Sequence, residues 1–286
     1  MSIPPSIFND VLGPVMRGPS SSHSAAANRI GRLARALVQE PIKKVIANYD
    51  PNGSLVTTHK DQGTDLGLYS GILGWEPDDE RLPTYPAALK EAGIEAVINY
   101  VSYDAPHPNF YRLEFVGESG TSYHLDAIST GGGMIAMQSL DGFPFTGQAD
   151  LHDLVFWLDQ KPKDESYLDT PAARSAEQTS WIAGENGHGL LRFSSRIAPS
   201  PEEIAEMARQ FGATRSHFLP AVLPILSRKD LAVPFTRCGE MLEHPEFGER
   251  PLWESAVAYE AARGGISHDE VLGKMKALAK IMAGAV

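Results

Sequence analysis

The clearest pattern in the sequence is an apolar stripe that follows a short polar segment. Four apolar residues recur at intervals of three and four positions, the spacing of one helical face: Ile30, Leu33, Ala34 and Leu37. In the polar segment Gly18–Ser24, the pair Gly18-Pro19 stops any earlier helix, and the serines are favoured N-caps for the next one. The pattern predicts a helix over residues 25–37 that begins in a serine-rich turn.

Short apolar and alternating runs predict strands along most of the chain. The predicted strands cover residues 42–49, 54–59, 95–103, 110–116, 123–128, 154–158 and 190–194. The turn sequence Asp50-Pro51-Asn52-Gly53 predicts that the first two strands form a hairpin, and residues 117–120 predict a second hairpin.

Helical patterns lie between and after these strands. The further predicted helices or helical turns cover residues 6–12, 66–73, 85–92, 201–211, 253–263 and 267–282. Ser6 is the predicted cap of the first, and Thr64 or Asp65 is the predicted cap of the second. Residues 161–180 are polar and are predicted to form a loop or a loose helix. Together the elements predict an α+β fold, with a mixed sheet and helices followed by a more helical C-terminal region.

The composition changes after about Gly147, where alternating strands give way to charged and helical stretches. We therefore predict a first domain over residues 1–150, an α/β connecting region over residues 151–250 and a helical segment over residues 251–286.

Composition and charge argue against a membrane-spanning, a nucleic-acid-binding and a secreted protein. Hydrophobic residues make up 42% of the 286 positions, but no apolar run approaches the roughly 20 residues that span a bilayer. The net charge of −11 disfavours nonspecific nucleic-acid binding. Residues Met1–Pro5 lack the basic region and apolar core of a signal peptide. We therefore expect a cytoplasmic protein that binds neither nucleic acid nor membranes.

The single cysteine, Cys238, limits the metal chemistry of this chain. It excludes an intramolecular disulfide, and it excludes a zinc or iron–sulfur site built from several cysteines of this chain alone. The neighbouring Arg237 would favour a thiolate, but a lone cysteine is also common as a small buried residue. We assign no metal ligand in this chain.

Four polar clusters are candidates for a small-molecule site. They are Ser20–Ser24, Gln62–Asp65, Ala105–Asn109 and Ser129–Gly133. The first and second lie at predicted helix starts, where unpaired N–H groups attract anions, and the glycines of the fourth can present further N–H groups. Each also has a purely structural interpretation: helix caps for the first two, a turn around His107 for the third, and a bulge or a close backbone approach for the fourth.

The other histidines form no metal-binding pattern and are interpreted as surface or core residues: His59, His124, His152, His188, His217, His244 and His268.

The order of the motifs along the chain is more specific for a protein family than any one cluster. Along the first half of the chain occur GPSSSHS at residues 18–24, GSL, GTD and GILGWEPDD within residues 53–79, HPN at 107–109 and STGGG at 129–133. This ordered set resembles the beta chain, or beta domain, of the bacterial iron–sulfur L-serine dehydratases. Residues 252–260 and 264–282 resemble the start of that family's alpha domain.

The resemblance implies a lyase in which the alpha domain holds a [4Fe–4S] cluster, and one iron acts as a Lewis acid on the substrate hydroxyl. Loss of the α-proton and of water gives an enamine, which hydrolyses to a 2-oxo acid and ammonia. Because the cysteines of the alpha domain are absent here, the resemblance implies an alpha-type partner subunit that carries the cluster, in a homo- or hetero-oligomer.

The resemblance also implies roles for single residues. Ser20, Ser21, Ser22 and the helix start would hold the carboxylate of a small amino or hydroxy acid. His23 or His107 would handle a proton or hydrogen-bond the substrate hydroxyl. The remaining candidates would orient these groups or contact the substrate, with Asp65 counted as catalytic: Thr64, Asp65, Asn109, Ser129 and Gly132.

Two departures from the family pattern leave the substrate open. Gln62 stands where the family motif GHGTD has histidine, and His59 could replace that histidine only if the loop were rebuilt. Ser24 replaces the usual threonine. A hydroxy acid other than serine is therefore one alternative. Two other functions also stay open: a non-catalytic allosteric module that binds a small carboxylate such as serine, and an independent enzyme that uses Cys238.

Overall fold

The computed structural model describes residues 4–163, 166–247 and 249–284. Residues 1–3, part of the segment that lacks the features of a signal peptide, lie outside these ranges, as do residues 164 and 165 of the predicted loop. The described chain forms two compact units. One is Met16–Leu223, and the other combines the residues up to Val15 with those from Pro224 onward. The domain boundaries near 150 and 250 stay predictions.

The larger unit contains helices and two sheets. Its helices are α1 (Ala26–Val38), α2 (Leu55–Thr58), α3 (Thr64–Ile72), α4 (Tyr85–Glu91), α5 (Pro171–Ser175) and α6 (Pro201–Phe211). Its strands are β1 (Ile42–Tyr49), β2 (Glu95–Tyr100), β3 (Phe110–Gly117), β4 (Ser122–Gly131), β5 (Met134–Leu140), β6 (Phe143–Gly147), β7 (His152–Leu158), β8 (Ala176–Ala183), β9 (Gly189–Ser195) and β10 (Arg215–Leu219).

The first sheet has the strand order β2-β1-β3-β4-β5-β6, in which β1 and β2 are parallel and the other neighbours antiparallel. The second has the order β10-β7-β9-β8 and is antiparallel throughout. The described part of the smaller unit contains the helices α7 (Cys238–Glu243), α8 (Leu252–Gly264) and α9 (His268–Gly284). The predicted α+β class with a helical C-terminal region is confirmed.

The apolar stripe of α1 is buried as predicted, with exposures of 0–2% for its four residues. Helix α3 packs against α1 at unusually short range because glycines face the contact. A Cβ atom at Gly67 would lie 1.9 Å from the carbonyl oxygen of Ser24, and one at Gly71 would lie 2.2 Å from that of Asn28. The two helix backbones therefore touch, and only glycine fits at these positions.

The predicted hairpin between residues 42–49 and 54–59 is wrong. Residues Leu55–Thr58 form helix α2, and the hydroxyls of Thr57 and Thr58 donate to the carbonyl of Ser54. Strand β1 pairs on one side with β2 and on the other with β3, so neither edge of β1 is open to a third strand. The hairpin predicted around residues 117–120 is confirmed as β3–β4.

Two further local predictions need correction. The segment 161–180 was predicted as a loop or a loose helix; it contains α5, but its end belongs to β8, which pairs with β9. Pairing with β9 overrides the weak local pattern. The start of α3 is not capped by Thr64 or Asp65: the N-cap position is Gly63, with a φ of 79°, and no side chain caps it.

The smaller unit begins with a single π-helical turn, Ile7–Val11, which Ser6 caps as predicted. Glu260 of α8 is fully buried and accepts hydrogen bonds from the Ser6 hydroxyl (2.5 Å) and the Ile7 backbone N–H (2.7 Å). Among the described helices, none has the length and apolar character to cross a membrane.

Candidate functional site

The serine-rich turn ahead of α1 is a single π-helical turn, Ser21–Ala25. The carbonyl of Ser20 accepts the backbone N–H groups of His23 (3.2 Å) and Ser24 (2.7 Å). Ser20 occupies the N-cap position, but its hydroxyl makes no capping hydrogen bond, which corrects the expectation of a side-chain cap. Within the described part of the chain, the hydroxyls of Ser20, Ser21 and Ser22 have no hydrogen-bond partner, and all three residues are half-buried.

Hydrogen bonds join this turn to the second and fourth clusters. His23 Nδ1 lies 3.0 Å from the Thr64 hydroxyl, at the start of α3. The Ser24 hydroxyl donates to the backbone carbonyl of Gln62 over 3.1 Å. The hydroxyl of Ser129, at the end of β4, donates to the carbonyl of Ser22 over 2.7 Å. These contacts bring three loops, distant in sequence, into one site.

The third cluster joins through Asn109. The Ser129 backbone N–H donates to the Asn109 carbonyl over 3.1 Å, and the Asn109 side chain accepts from the Ser54 hydroxyl. His107 Nδ1 accepts the Asn109 backbone N–H over 3.0 Å, so a neutral His107 carries its proton on Nε2 and can donate from it. His107 also lines an open depression of about 430 Å³ beside Asp50.

His23 is suited to accept a proton or a hydrogen bond at neutral pH. It is 6% exposed, and burial lowers the pKa of its imidazole below the ordinary value of 6.5. The neutral form therefore dominates near pH 7.

Gly132 lies in the turn between β4 and β5. Gly131, Gly132 and Gly133 have φ values of 104°, 61° and 86°, a conformation that favours glycine. The pairing of β4 with β5 shifts register between Ser129 and Gly131, which agrees with the structural interpretation as a bulge and turn. A substrate-binding role for Gly132 stays a prediction.

Sequence reasoning missed Arg29, whose guanidinium donates to the Gly133 carbonyl and so ties α1 to this turn. Arg29 is 3% exposed, and burial, followed by the charge of Arg32, lowers its pKa to about 10. One signal in the sequence could have identified Arg29. It is a charged residue next to the apolar stripe of a predicted amphipathic helix, where a buried arginine needs a hydrogen-bond partner.

Asp65 does not contact His23; it pairs with His59. From the sequence, His59 is interpreted as a surface or core residue, or as a replacement for the family histidine at position 62 only if the loop is rebuilt. His59 Nδ1 is 2.9 and 2.8 Å from the two carboxylate oxygens of Asp65. His59 Nε2 is 2.9 Å from the hydroxyl of Tyr100. The pair could not be foreseen, because residues 54–59 were predicted as a strand.

The residues present do not fit an iron–sulfur cluster held by this chain alone. Such clusters are bound mainly by several cysteine thiolates, and the chain has one cysteine, Cys238, which is exposed at the first residue of α7 in the smaller unit. The described residues also contain no group of three or more His, Cys, Asp or Glu side chains that could hold a metal ion.

Comparison with known proteins gives relatives for about half of the chain. Over 139 residues it is 40% identical to the probable L-serine dehydratase, beta chain, of Bacillus subtilis (strain 168), which covers 48% of this chain and 61% of that protein. Over 134 residues it is 36% identical to the L-serine dehydratase, beta chain, of Peptoniphilus asaccharolyticus, which covers 46% of this chain and 60% of that protein.

The chain therefore spans about three fifths of the length of these curated relatives. No family model matches the chain. The resemblance of residues 252–282 to an alpha domain stays a prediction. The resemblance that the ordered motifs indicated is confirmed: over about half of its length, this chain is similar to the beta chains of L-serine dehydratases.

Proposed function

We propose that the chain is a subunit of a lyase of the L-serine dehydratase type. The enzyme would eliminate water from L-serine, or from a related small hydroxy or amino acid, and release a 2-oxo acid and ammonia. The observation that carries the proposal is the hydrogen-bonded assembly of the four polar loops beside three serine hydroxyls that lack a partner in the described structure. The names of the two relatives support the reaction class.

The serine turn is suited to bind the substrate carboxylate. The hydroxyls of Ser20, Ser21 and Ser22 can each donate one hydrogen bond. The turn is also the N-terminal end of the helical run that continues into α1, and this end carries positive partial charge. Thr64, Asn109 and Ser129 hold the surrounding loops in place through the hydrogen bonds described above. Because these hydrogen bonds fix the loops around the three serine hydroxyls, the carboxylate would meet an ordered backbone.

Two histidines of the site, His23 and His107, can also interact with the substrate. His23 is neutral near pH 7 because burial lowers its pKa, so it can accept a proton or a hydrogen bond from the substrate. His107 has its Nδ1 occupied by the Asn109 N–H, so its Nε2–H can donate to the substrate hydroxyl. The [4Fe–4S] cluster would belong to an alpha-type partner subunit, in a hetero-oligomer.

Anaerobic co-expression with a cluster-bearing alpha-type chain tests this function. We expect the two chains to co-purify and to release 2-oxo acid from L-serine. Ser22→Ala removes only the hydroxyl and keeps the carbonyl that accepts from Ser129. We expect it to raise KM about tenfold, the effect of losing one hydrogen bond to a charged group, without changing the melting temperature.

Ser122→Ala, at an exposed position of β4, is the matched control and should leave KM unchanged. If no partner co-purifies and the chain alone still binds L-serine, the lyase proposal fails and an allosteric carboxylate-binding module is supported. Activity of the chain alone that Cys238→Ala abolishes would instead support an independent cysteine-dependent enzyme.

A further inference from the structure

A line of three polar side chains runs from the interior to the surface beside the joined loops. Asp65 contacts His59 Nδ1 through both carboxylate oxygens, at 2.9 and 2.8 Å, and His59 Nε2 is 2.9 Å from the Tyr100 hydroxyl. His59 is 3% exposed and Asp65 8%, whereas Tyr100 is 53% exposed. Among the described residues, the exposed Tyr100 side chain therefore supplies the hydrogen-bond partner at the outer nitrogen of a buried imidazole.

The carboxylate fixes the position of the imidazole proton. A carboxylate accepts hydrogen bonds, so Nδ1 of a neutral His59 carries the proton and donates it to Asp65. Nε2 then has a free lone pair, which accepts the Tyr100 O–H. An imidazole that a carboxylate orients at Nδ1, and whose outer nitrogen carries no proton in the neutral form, is the arrangement of a general base.

The pair is tied to the candidate site through the start of α3. The Asp65 backbone N–H donates to the His59 carbonyl over 3.1 Å, and Thr64, the residue before Asp65, contacts His23 at 3.0 Å. The ring of Tyr49 also faces His59, with ring centroids 5.8 Å apart. Gln62 contributes its backbone carbonyl to Ser24, and its side chain is exposed.

We propose that His59, positioned by Asp65, is a general base of this site and that the Tyr100 hydroxyl covers it until substrate binds. The inference rests on the proposed lyase function. The inference assigns proton removal to His59. Gln62, three positions later, stands where the family motif has histidine, and its amide cannot take up a proton.

The proposed step is a proton transfer coupled to elimination. Nε2 of His59 forms an N–H bond as the α C–H bond of the substrate breaks, and the negative charge of Asp65 stabilises the imidazolium. The C–H electron pair becomes the new C=C bond while the bond from carbon to the hydroxyl oxygen breaks. The departing hydroxide takes the proton from Nε2 and leaves as water, so His59 returns to its neutral form.

The test uses the chain co-purified with its alpha-type partner. His59→Gln keeps a hydrogen-bonding side chain of similar size but cannot take up a proton. We expect kcat for 2-oxo acid release to fall at least about 100-fold, the scale of losing a general base, with little change in KM. His124→Gln, an exposed histidine of β4, is the matched control. Retention of kcat by His59→Gln in an active assembly overturns the inference.

A second measurement separates a base from a structural histidine. ¹⁵N NMR of the imidazoles in the full chain, with His59 assigned by its loss in His59→Gln, should give the tautomer with a protonated Nδ1 and a bare Nε2. The opposite tautomer overturns the role of His59 even when the wild-type assembly is active. A wild-type assembly that co-purifies but releases no 2-oxo acid refutes the proposed function itself, so the two failures are distinct.

Discussion

At the scale of single residues, one buried histidine is expected to make the stability of this protein depend on pH. His217 of β10 is 3% exposed and lies against the rings of Trp157 and Tyr123, with centroids 4.8 and 6.0 Å away. Burial, and then the positive charge of Arg215, lower the pKa of His217 to about 4. The native protein therefore keeps this side chain neutral under conditions in which an exposed histidine is protonated.

This difference predicts a loss of stability on acidification. Between about pH 6.5 and pH 4 the unfolded chain binds a proton at position 217 and the native chain does not, so stability falls as pH falls through this window. We expect His217 to account for about 2 kcal/mol of lost unfolding free energy between pH 7 and pH 5. Urea denaturation at pH 7 and pH 5 measures the change in unfolding free energy. His217→Leu should lose about 2 kcal/mol less than the wild-type protein. An equal loss in both proteins would show that His217 is not responsible.

The chemistry of single residues was partly visible in the sequence. His23, Thr64, Asn109 and Ser129 were predicted to share a site, and hydrogen bonds do link their loops. Neither His59 nor Arg29 could be assigned in the same way. The partner of His59 depends on the path of residues 54–59, and Arg29 meets Gly133 across 104 positions of sequence. Such contacts arise from packing, which local patterns do not encode.

At the level of elements, the contact between α1 and α3 decides where two of the polar loops lie. The helices meet backbone to backbone at glycine positions, and the contact includes the carbonyl of Ser24 in the serine turn. The strand prediction for residues 54–59 failed for a related reason, because the edges of β1 are occupied by β2 and β3. The spacing of apolar residues and the helix and strand propensities predicted where the elements lie. Whether residues 54–59 form a helix or a strand depended on which strands pair with β1.

We expect Gly67→Ala to destabilise the protein although alanine is the better helix former. Its Cβ would lie 1.9 Å from the Ser24 carbonyl oxygen, so one of the two helices must move. Overpacking of this kind costs about 1–3 kcal/mol. Gly273→Ala is the matched control, because its Cβ meets no atom within 4 Å and the position is exposed in α9. Calorimetry should show a lower melting temperature for Gly67→Ala only. An equal decrease for Gly273→Ala would contradict the prediction.

At the level of the whole chain, the smaller unit joins residues that are distant in sequence. Ser6 caps the first turn by accepting the N–H groups of Phe8 and Asn9, and its hydroxyl donates to the buried Glu260. Asn9 exchanges two hydrogen bonds with the backbone of Ile225. The sequence predicted the cap and the late helices separately, but local signals did not reveal that they belong to one unit.

Ser6→Ala should loosen this unit without disturbing the larger one. The substitution removes the cap and one hydrogen bond to a buried carboxylate, at a cost of about 2–4 kcal/mol. Hydrogen exchange followed by mass spectrometry should show faster exchange in residues 4–12 and in α8, with unchanged protection in α1 and the β3–β4 hairpin. Ser119→Ala, an exposed serine of the β3–β4 turn, serves as the control. Unchanged exchange in α8 would show that Ser6 caps only its own turn.

The glycine contact between α1 and α3 has a thermodynamic consequence for ligand binding. Under the proposed function a carboxylate binds at the serine turn. Because touching backbones already fix this turn, it has few conformations left to lose, and little conformational entropy opposes binding. The affinities of different carboxylates would then depend on how many of the Ser20–Ser22 hydroxyls donate to each ligand. They would depend little on how far each ligand orders the loops. A calorimetric series of small carboxylates should accordingly differ mainly in binding enthalpy.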